Sequence, residues 1–282
     1  MDAQGGKNRF WRSGHWGEVA TLLIISLAIP VVVALSLLAV YATNWLDKST
    51  EPKVPKAAIV DQLSLTFPNP GFVEEATETL EQAGYIVDYY PGEAVTVEFY
   101  RTLPTRGYNL IILRVHSALM ESGLVRRHPV IEQATIKALR SMVFLFTSEP
   151  YSRTRYVEEQ KKLRLLPVSY SQEQPEQYFG ITPDFIAFSM EGDFDKTTII
   201  LMGCNGLTFD YTASVLVEKG AQSVVGWDTS VSSSHTDATT EQFLRHFVSE
   251  KLPLRQAVAK TVAEVGRDPS YGSQLLLYQA KE

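Results

Sequence analysis

The sequence predicts an α/β protein, a three-layer α/β/α sandwich around a mostly parallel sheet, preceded by one transmembrane helix. Three observations carry this expectation. Continuous apolar runs of strand length recur along the chain, among them Ala57–Leu65, Asn109–Val115 and Thr197–Met202. Segments of helical periodicity separate them, the pattern of strands buried on both faces beneath helices. A stretch of 28 residues without a charge, Val19–Leu46, lies near the N-terminus.

That stretch is justified first. Its centre, Leu22–Val40, is Leu, Ile, Val and Ala apart from Ser26, Ser36 and Pro30. About 20 such residues in a helix cross the hydrocarbon core of a bilayer. Trp16, Tyr41 and Trp45 stand near its two ends, where an aromatic belt would be. It is longer than a signal-peptide core, and no clear A-x-A site follows it. The expectation is a short tail (1–18), an uncleaved single-pass anchor (19–46) and a polar linker (47–56, DKSTEPKVPK). Lys7, Arg9 and Arg12 before the span balance Lys48, Lys53 and Lys56 after it. Placing the C-terminal domain outside the cytoplasm therefore rests on the short tail staying in.

Residues 57–282 suffice for one domain with a full core. Ala57–Leu65 reads as a strand ended by the turn PNPG. Phe72–Ala83 carries apolar residues at 72, 73, 76, 80 and 83, a helical spacing, and Gly84 stops it. Tyr85–Tyr90 is a second strand, Thr96–Leu103 a short helix and Asn109–Val115 a third strand. A strand is expected over Met142–Thr147, followed by a polar stretch, Ser148–Gln177, of which 150–164 reads as a solvated helix or loop. Strand order resumes with Thr197–Met202, then a helix at Phe209–Lys219 and a strand at Ser223–Trp227. Helices at Ser234–Ser249 and Pro253–Val265 and a strand at Ser273–Gln279 complete the chain.

Composition narrows the function. A chain 45% hydrophobic and 21% charged is globular rather than disordered. A net charge of −6 argues against a nucleic-acid partner. Cys204 is the one cysteine, so neither an internal disulfide nor a cysteine-rich zinc site can form. The five histidines show no metal-binding spacing. No metal or other cofactor is expected.

Chemistry in parallel sheets gathers at the carboxyl ends of strands. His116 follows the strand Asn109–Val115, and Cys204 follows Thr197–Met202. A thiol there could be exposed above the sheet, while Gly203 and Gly206 permit a tight turn. Neighbouring strands would make Cys204 a nucleophile and His116 its base. The backbone N–H groups of Ser117 and Cys204 could form an oxyanion hole. Each residue also has a plainer reading, as a buried small hydrophobe and a structural histidine. His235-Thr236-Asp237, preceded by three serines, reads as the capped start of a helix.

The order strand–His, strand–Gly-Cys-x-Gly, strand–Gly-Trp-Asp resembles the caspase-like (clan CD) cysteine peptidases. That group includes caspases, metacaspases, legumains, gingipains, separases and CHAT domains. The block from Ile200 to Phe247, with Gly220-Ala221-Gln222-Ser223-Val224-Val225-Gly226-Trp227-Asp228 inside it, is most similar to CHAT and separase sequences. The resemblance implies a peptidase acting on peptide or protein substrates, with His116 as base and Cys204 as nucleophile. It also implies that Trp227 and Asp228 line the pocket for the residue before the scissile bond, where an acid would favour Arg or Lys, against the plainer reading that Asp228 caps a turn or pairs with a surface base. Some relatives use calcium, but no dense carboxylate cluster here demands it. Others mature by self-cleavage, for which Arg153, Arg155, Lys161, Lys162 and Arg164 are candidates. The sequence departs from the family in Ser117 after the histidine, Gly203 before the cysteine, and the long polar segment between them.

Two rival readings remain. A glutamine-amidotransferase-like enzyme has G-x-C-x-G, but position 202 is Met, and its histidine follows the cysteine. A membrane-anchored caspase-like domain without activity could serve as a binding or sensor module.

Overall fold

The computed structural model describes residues 34–38, 54–119, 142–171, 173 and 175–279. The chain divides into two units, Met1–Lys53 and Val54–Glu282. In the first unit only the helical residues 34–38 are described. The expectation of a transmembrane helix, and of a single-pass protein with an extracytoplasmic domain, is corrected here. Among the described residues no helix is long and apolar enough to cross a membrane. The rest of 19–46 lies outside the described residues.

The second unit begins with β1 (Lys56–Asp61), whose residues 57–61 are all buried. A 3-10 turn, Gln62–Leu65, takes up the remainder of the expected strand. Helix α1 (Pro70–Gln82) starts at Asn69, whose Oδ1 accepts from the Phe72 N–H, with Pro70 pre-set for the first turn. Phe72, Ala76 and Leu80, four apart, form its buried stripe. Gly84, at φ +89°, then turns the chain into β2 (Ile86–Pro91). Thr96 caps α2 (Val97–Thr102) through the Phe99 N–H, and β3 (Leu110–Arg114) follows, buried throughout.

After β3 come β4 (Ser117–Leu119), β5 (Val143–Pro150), the short α3 (Val157–Lys161), β6 (Leu165–Val168) and β7 (Tyr178–Ile181). Helix α4 (Pro183–Ser189) leads to β8 (Thr197–Leu201), α5 (Asp210–Glu218) and β9 (Ala221–Trp227). Helix α6 (Ser233–Leu244) runs into a π-helical turn, Arg245–Ser249, before α7 (Leu254–Val265) and β10 (Leu275–Gln279).

The strands form two sheets. The larger has the order β10-β9-β8-β3-β1-β2, parallel except for β10, which runs antiparallel to β9. The smaller, β4-β5-β7-β6, is antiparallel throughout. This corrects the expected mostly parallel α/β/α sandwich to a mixed sheet accompanied by a second sheet. The difference comes from the segment read as polar, Ser148–Gln177. Within it, Leu165–Val168 is fully buried. Alternate residues of the small sheet face opposite ways, as a strand pleat requires. Leu145, Leu165 and Ile181 join the main core, while Phe144, Phe146, Leu166 and Val168 close a cluster of their own.

The large sheet has a core on each face. On one, Phe72, Ala76 and Leu80 of α1 pack with Phe243 and Leu244 of α6, Ala257 and Val258 of α7, and Trp227. On the other, α2, α4 and α5 share the cover with the small sheet. Burying one such Phe or Leu side chain contributes roughly 1.5–3 kcal/mol.

Candidate functional site

The site is built at the carboxyl ends of β3 and β8, which are parallel neighbours. Their last paired residues are Leu113 and Leu201. His116 and Cys204 each lie three positions beyond that pair, so the register sets them at equivalent positions past adjacent strand ends.

The turn after β8 has little freedom. A Cβ on Gly203 would collide with the Val115 carbonyl and the Ser117 hydroxyl, so the two strand ends touch there. Ser117 Oγ donates to the Cys204 carbonyl at 2.6 Å. Asn205 adopts a left-handed φ of +64°, which Asn tolerates better than most residues. Its N–H donates to Thr229 O at 2.9 Å, and the Leu207 N–H donates to Trp227 O at 2.8 Å. The loop carrying Cys204 is thereby strapped along the end of β9.

His116 is held from several sides. Its backbone N–H donates to Gln62 Oε1 at 2.9 Å. Its Nε2 is hydrogen-bonded to Thr66 Oγ1 at 2.9 Å, leaving Nδ1 as the other ring nitrogen. Tyr170 stacks on the imidazole at 5.3 Å, and Phe67 meets its edge at 5.9 Å. The Tyr170 hydroxyl donates to Thr147 O at 3.0 Å, which fixes the stacked ring to the small sheet. Burial, with a further push from the Arg114 guanidinium, brings the imidazole down to about 4. At neutral pH it is uncharged.

Cys204 is half-buried, and its thiol donates to Val231 O at 3.6 Å. Among the described residues no hydrogen bond joins it to His116. The thiol packs toward the α1–α6 face, while the imidazole lies with the aromatic side chains of the small sheet. No hydrogen bond from the Cys204 backbone N–H, the expected oxyanion donor, is found among the described residues. Ser117, the other expected donor, is the first residue of β4 and is buried.

Beneath the site lies a buried ionic network. Arg114, 0% exposed, ends β3 and donates to both oxygens of Asp237 at 2.8 Å and to Asp61 Oδ1 at 2.7 Å. Its Nη2 also donates to Phe67 O. The network joins the end of β1, the end of β3, α6 and the loop beside His116. Asp237, expected only near a helix cap, is therefore a buried ion-pair partner.

Of Trp227 and Asp228, which the resemblance puts at a substrate pocket, Asp228 is placed as its plainer reading has it, in a turn beside a surface base. Trp227 is 1% exposed in the core, and its indole N–H donates to Thr236 Oγ1 at 2.9 Å. Asp228 accepts from the Gln274 N–H at 2.8 Å and faces Arg267 at 3.9 Å. Trp227 therefore offers no wall to a substrate, and the Asp228 carboxylate already has partners. Of the basic residues weighed as cleavage points, Arg155 pairs with Glu149, Lys161 pairs with Glu158, and Arg164 lies over the Phe188 ring.

Thr66, Gln62, Tyr170 and Arg114 were not singled out from the sequence. Only Arg114 left a signal there, a charge inside an otherwise apolar strand, NLIILRV. Among the described residues no group of three His, Cys, Asp or Glu side chains could hold a metal ion. No family model matches the chain, and no curated protein matches it at a significant level.

Proposed function

We propose that this chain is a cysteine peptidase with a caspase-like arrangement, in which Cys204 attacks a peptide carbonyl and His116 manages the protons. The observation that carries the reading is the β3–β8 register, which brings a histidine and a half-buried cysteine to equivalent positions beyond adjacent parallel strands.

The thiol proton passes to the uncharged imidazole, through Nδ1, since Thr66 occupies Nε2. A thiolate formed beside it would raise the proton affinity of His116 and so favour the ion pair. The thiolate adds to the carbonyl carbon, and the Cys204 N–H faces the developing oxyanion. As the C–N bond breaks, the imidazolium protonates the leaving amine. The imidazole then takes a proton from water, whose oxygen attacks the thioester and releases the acid and the thiol. For attack, the thiol must exchange its bond to Val231 O for an approach to the imidazole.

A second reading, a binding domain without activity, is favoured by one observation: imidazole and thiol are each held by partners other than one another. One experiment separates the two. The full chain and its Cys204→Ala variant are challenged with a pooled fluorogenic peptide library, and Cys204 alkylation by iodoacetamide is timed at pH 7. Cleavage lost in the variant, with alkylation well above the rate of free cysteine, supports the peptidase. No cleavage with an inert thiol moves the assignment to the binding domain.

A further inference from the structure

Away from His116 and Cys204, a cavity of about 480 Å³ opens between α1 and the edge of the large sheet. This is within the usual size of small-ligand pockets. Pro68, Pro70 and Val73 give it an apolar wall. Its neutral polar lining is already satisfied. Ser64 Oγ donates to Asp61 O and accepts from the Gly92 N–H, Thr77 Oγ1 donates to Val73 O, and Asn69 serves Phe72 and Asp237.

The carboxylates are different. Asp61 lines the cavity and is 1% exposed, yet only its Oδ1 has a strong partner, Arg114. Its Oδ2 is met by the Tyr89 hydroxyl at a long 3.4 Å. Asp61 and Asp237 share one guanidinium, so two buried acids face one buried base. Glu74 and Glu78, one turn apart on α1, stand at the same cavity, and no cation pairs with either among the described residues. No Lys or Arg lines the cavity. An apolar wall with uncompensated acid suits one kind of ligand: an alkyl chain ending in a cation, stem against the wall and head toward the carboxylates.

We propose that this cavity binds a primary ammonium on a short alkyl chain, either a lysine side chain of a polypeptide or a free alkylamine. The site uses neither Cys204 nor His116, so it stands or falls apart from the peptidase reading.

The test is calorimetric titration of the full chain with n-hexylammonium, with the uncharged n-hexanol as its match and acetyl-Ala-Lys-Ala-amide as the polypeptide arm. The double variant Glu74→Gln/Glu78→Gln, both sites exposed on α1, is titrated alongside. The ammonium is expected to bind roughly tenfold tighter than the alcohol, with a preference that shrinks in the variant and at high salt. Tighter binding of the peptide would identify a polypeptide lysine as the source, and tighter binding of the free amine a small ligand. Equal affinity for alcohol and ammonium, no binding of either charged probe, or an undiminished preference in the double variant would overturn the proposal.

Discussion

Ser117 Oγ donates a 2.6 Å hydrogen bond to the carbonyl oxygen of Cys204, tying the residue after the histidine to the backbone of the cysteine. The bond fixes the relative height of the two strand ends and, on the proposed peptidase reading, the point at which a substrate carbonyl would meet the Cys204 N–H. Ser117→Ala is expected to cost about 1 kcal/mol, the usual worth of such a bond, with a larger fractional loss of any peptidase turnover. Chemical denaturation and turnover of the two proteins, compared side by side, check this. Equal turnover would separate the bond from the site.

Gly203 has no room for a side chain, because the Val115 carbonyl and the Ser117 hydroxyl occupy the place of a Cβ. Gly203→Ala is expected to destabilise by roughly 1–3 kcal/mol, as overpacking does when backbone must move. Unchanged thermal stability would mean that the strand ends separate easily.

The Asp61–Arg114–Asp237 network should behave as a unit. Arg114→Met leaves two buried carboxylates unpaired and is expected to cost about 3–5 kcal/mol. The triple variant with Asp61→Asn and Asp237→Asn should recover much of that loss. Denaturant midpoints of the single and triple variants test the point, and a triple variant no better than the single would refute it.

The pH dependence follows from His116. Its imidazole, near 6.5 when unfolded, is pushed down to about 4 in the fold by burial and by Arg114. Between those values the unfolded chain binds more protons than the folded one. The stability contributed by the neutral ring is thus complete above pH 6.5 and is lost as pH falls toward 4, by about 3 kcal/mol in all. Burial acts on Asp61 in the opposite sense, raising its carboxyl, so the wild-type slope is a composite. The difference in slope between wild type and His116→Gln isolates the histidine, and parallel slopes would contradict the assignment.

Thr66 engages Nε2 of His116 and leaves Nδ1 as the other ring nitrogen. Thr66→Val removes the partner of Nε2 and is expected to leave Cys204 alkylation slower and the tautomer mixed, as read by nitrogen NMR of the ring. A single unchanged tautomer would show that stacking on Tyr170 suffices to hold the ring.

Much of the large sheet was legible in the sequence because its strands are continuous apolar runs and its helices keep their caps and stops. Asn69, Thr96 and Gly84 all act where local chemistry places them. The positions of His116 and Cys204 at strand ends were legible for the same reason. Facing was not. In β9 six of seven residues are buried, so period-two alternation is erased and nothing local shows that Trp227 points into the core. The small sheet was missed because Leu165–Val168 is four residues long, includes Pro167 and sits among polar neighbours. Thr66 and Tyr170 reach His116 from distant parts of the chain, by contacts that no spacing encodes.

The strand order has a consequence for how the protein assembles. Strands β1, β2 and β3 all fall within Lys56–Arg114, and β8, β9 and β10 within Thr197–Gln279, so each half of the large sheet is drawn from one continuous stretch of chain. The β3–β8 pairing is the seam between them, and the whole of the small sheet intervenes along the chain. Closing so long a loop carries the larger entropic cost, and contacts of that kind form late. The seam is expected to gain amide protection last in a pulse-labelled refolding experiment, after both halves. His116 and Cys204 sit on opposite sides of that seam, so no partly folded chain would present them together, and any reactivity they share would arrive only with the completed sheet.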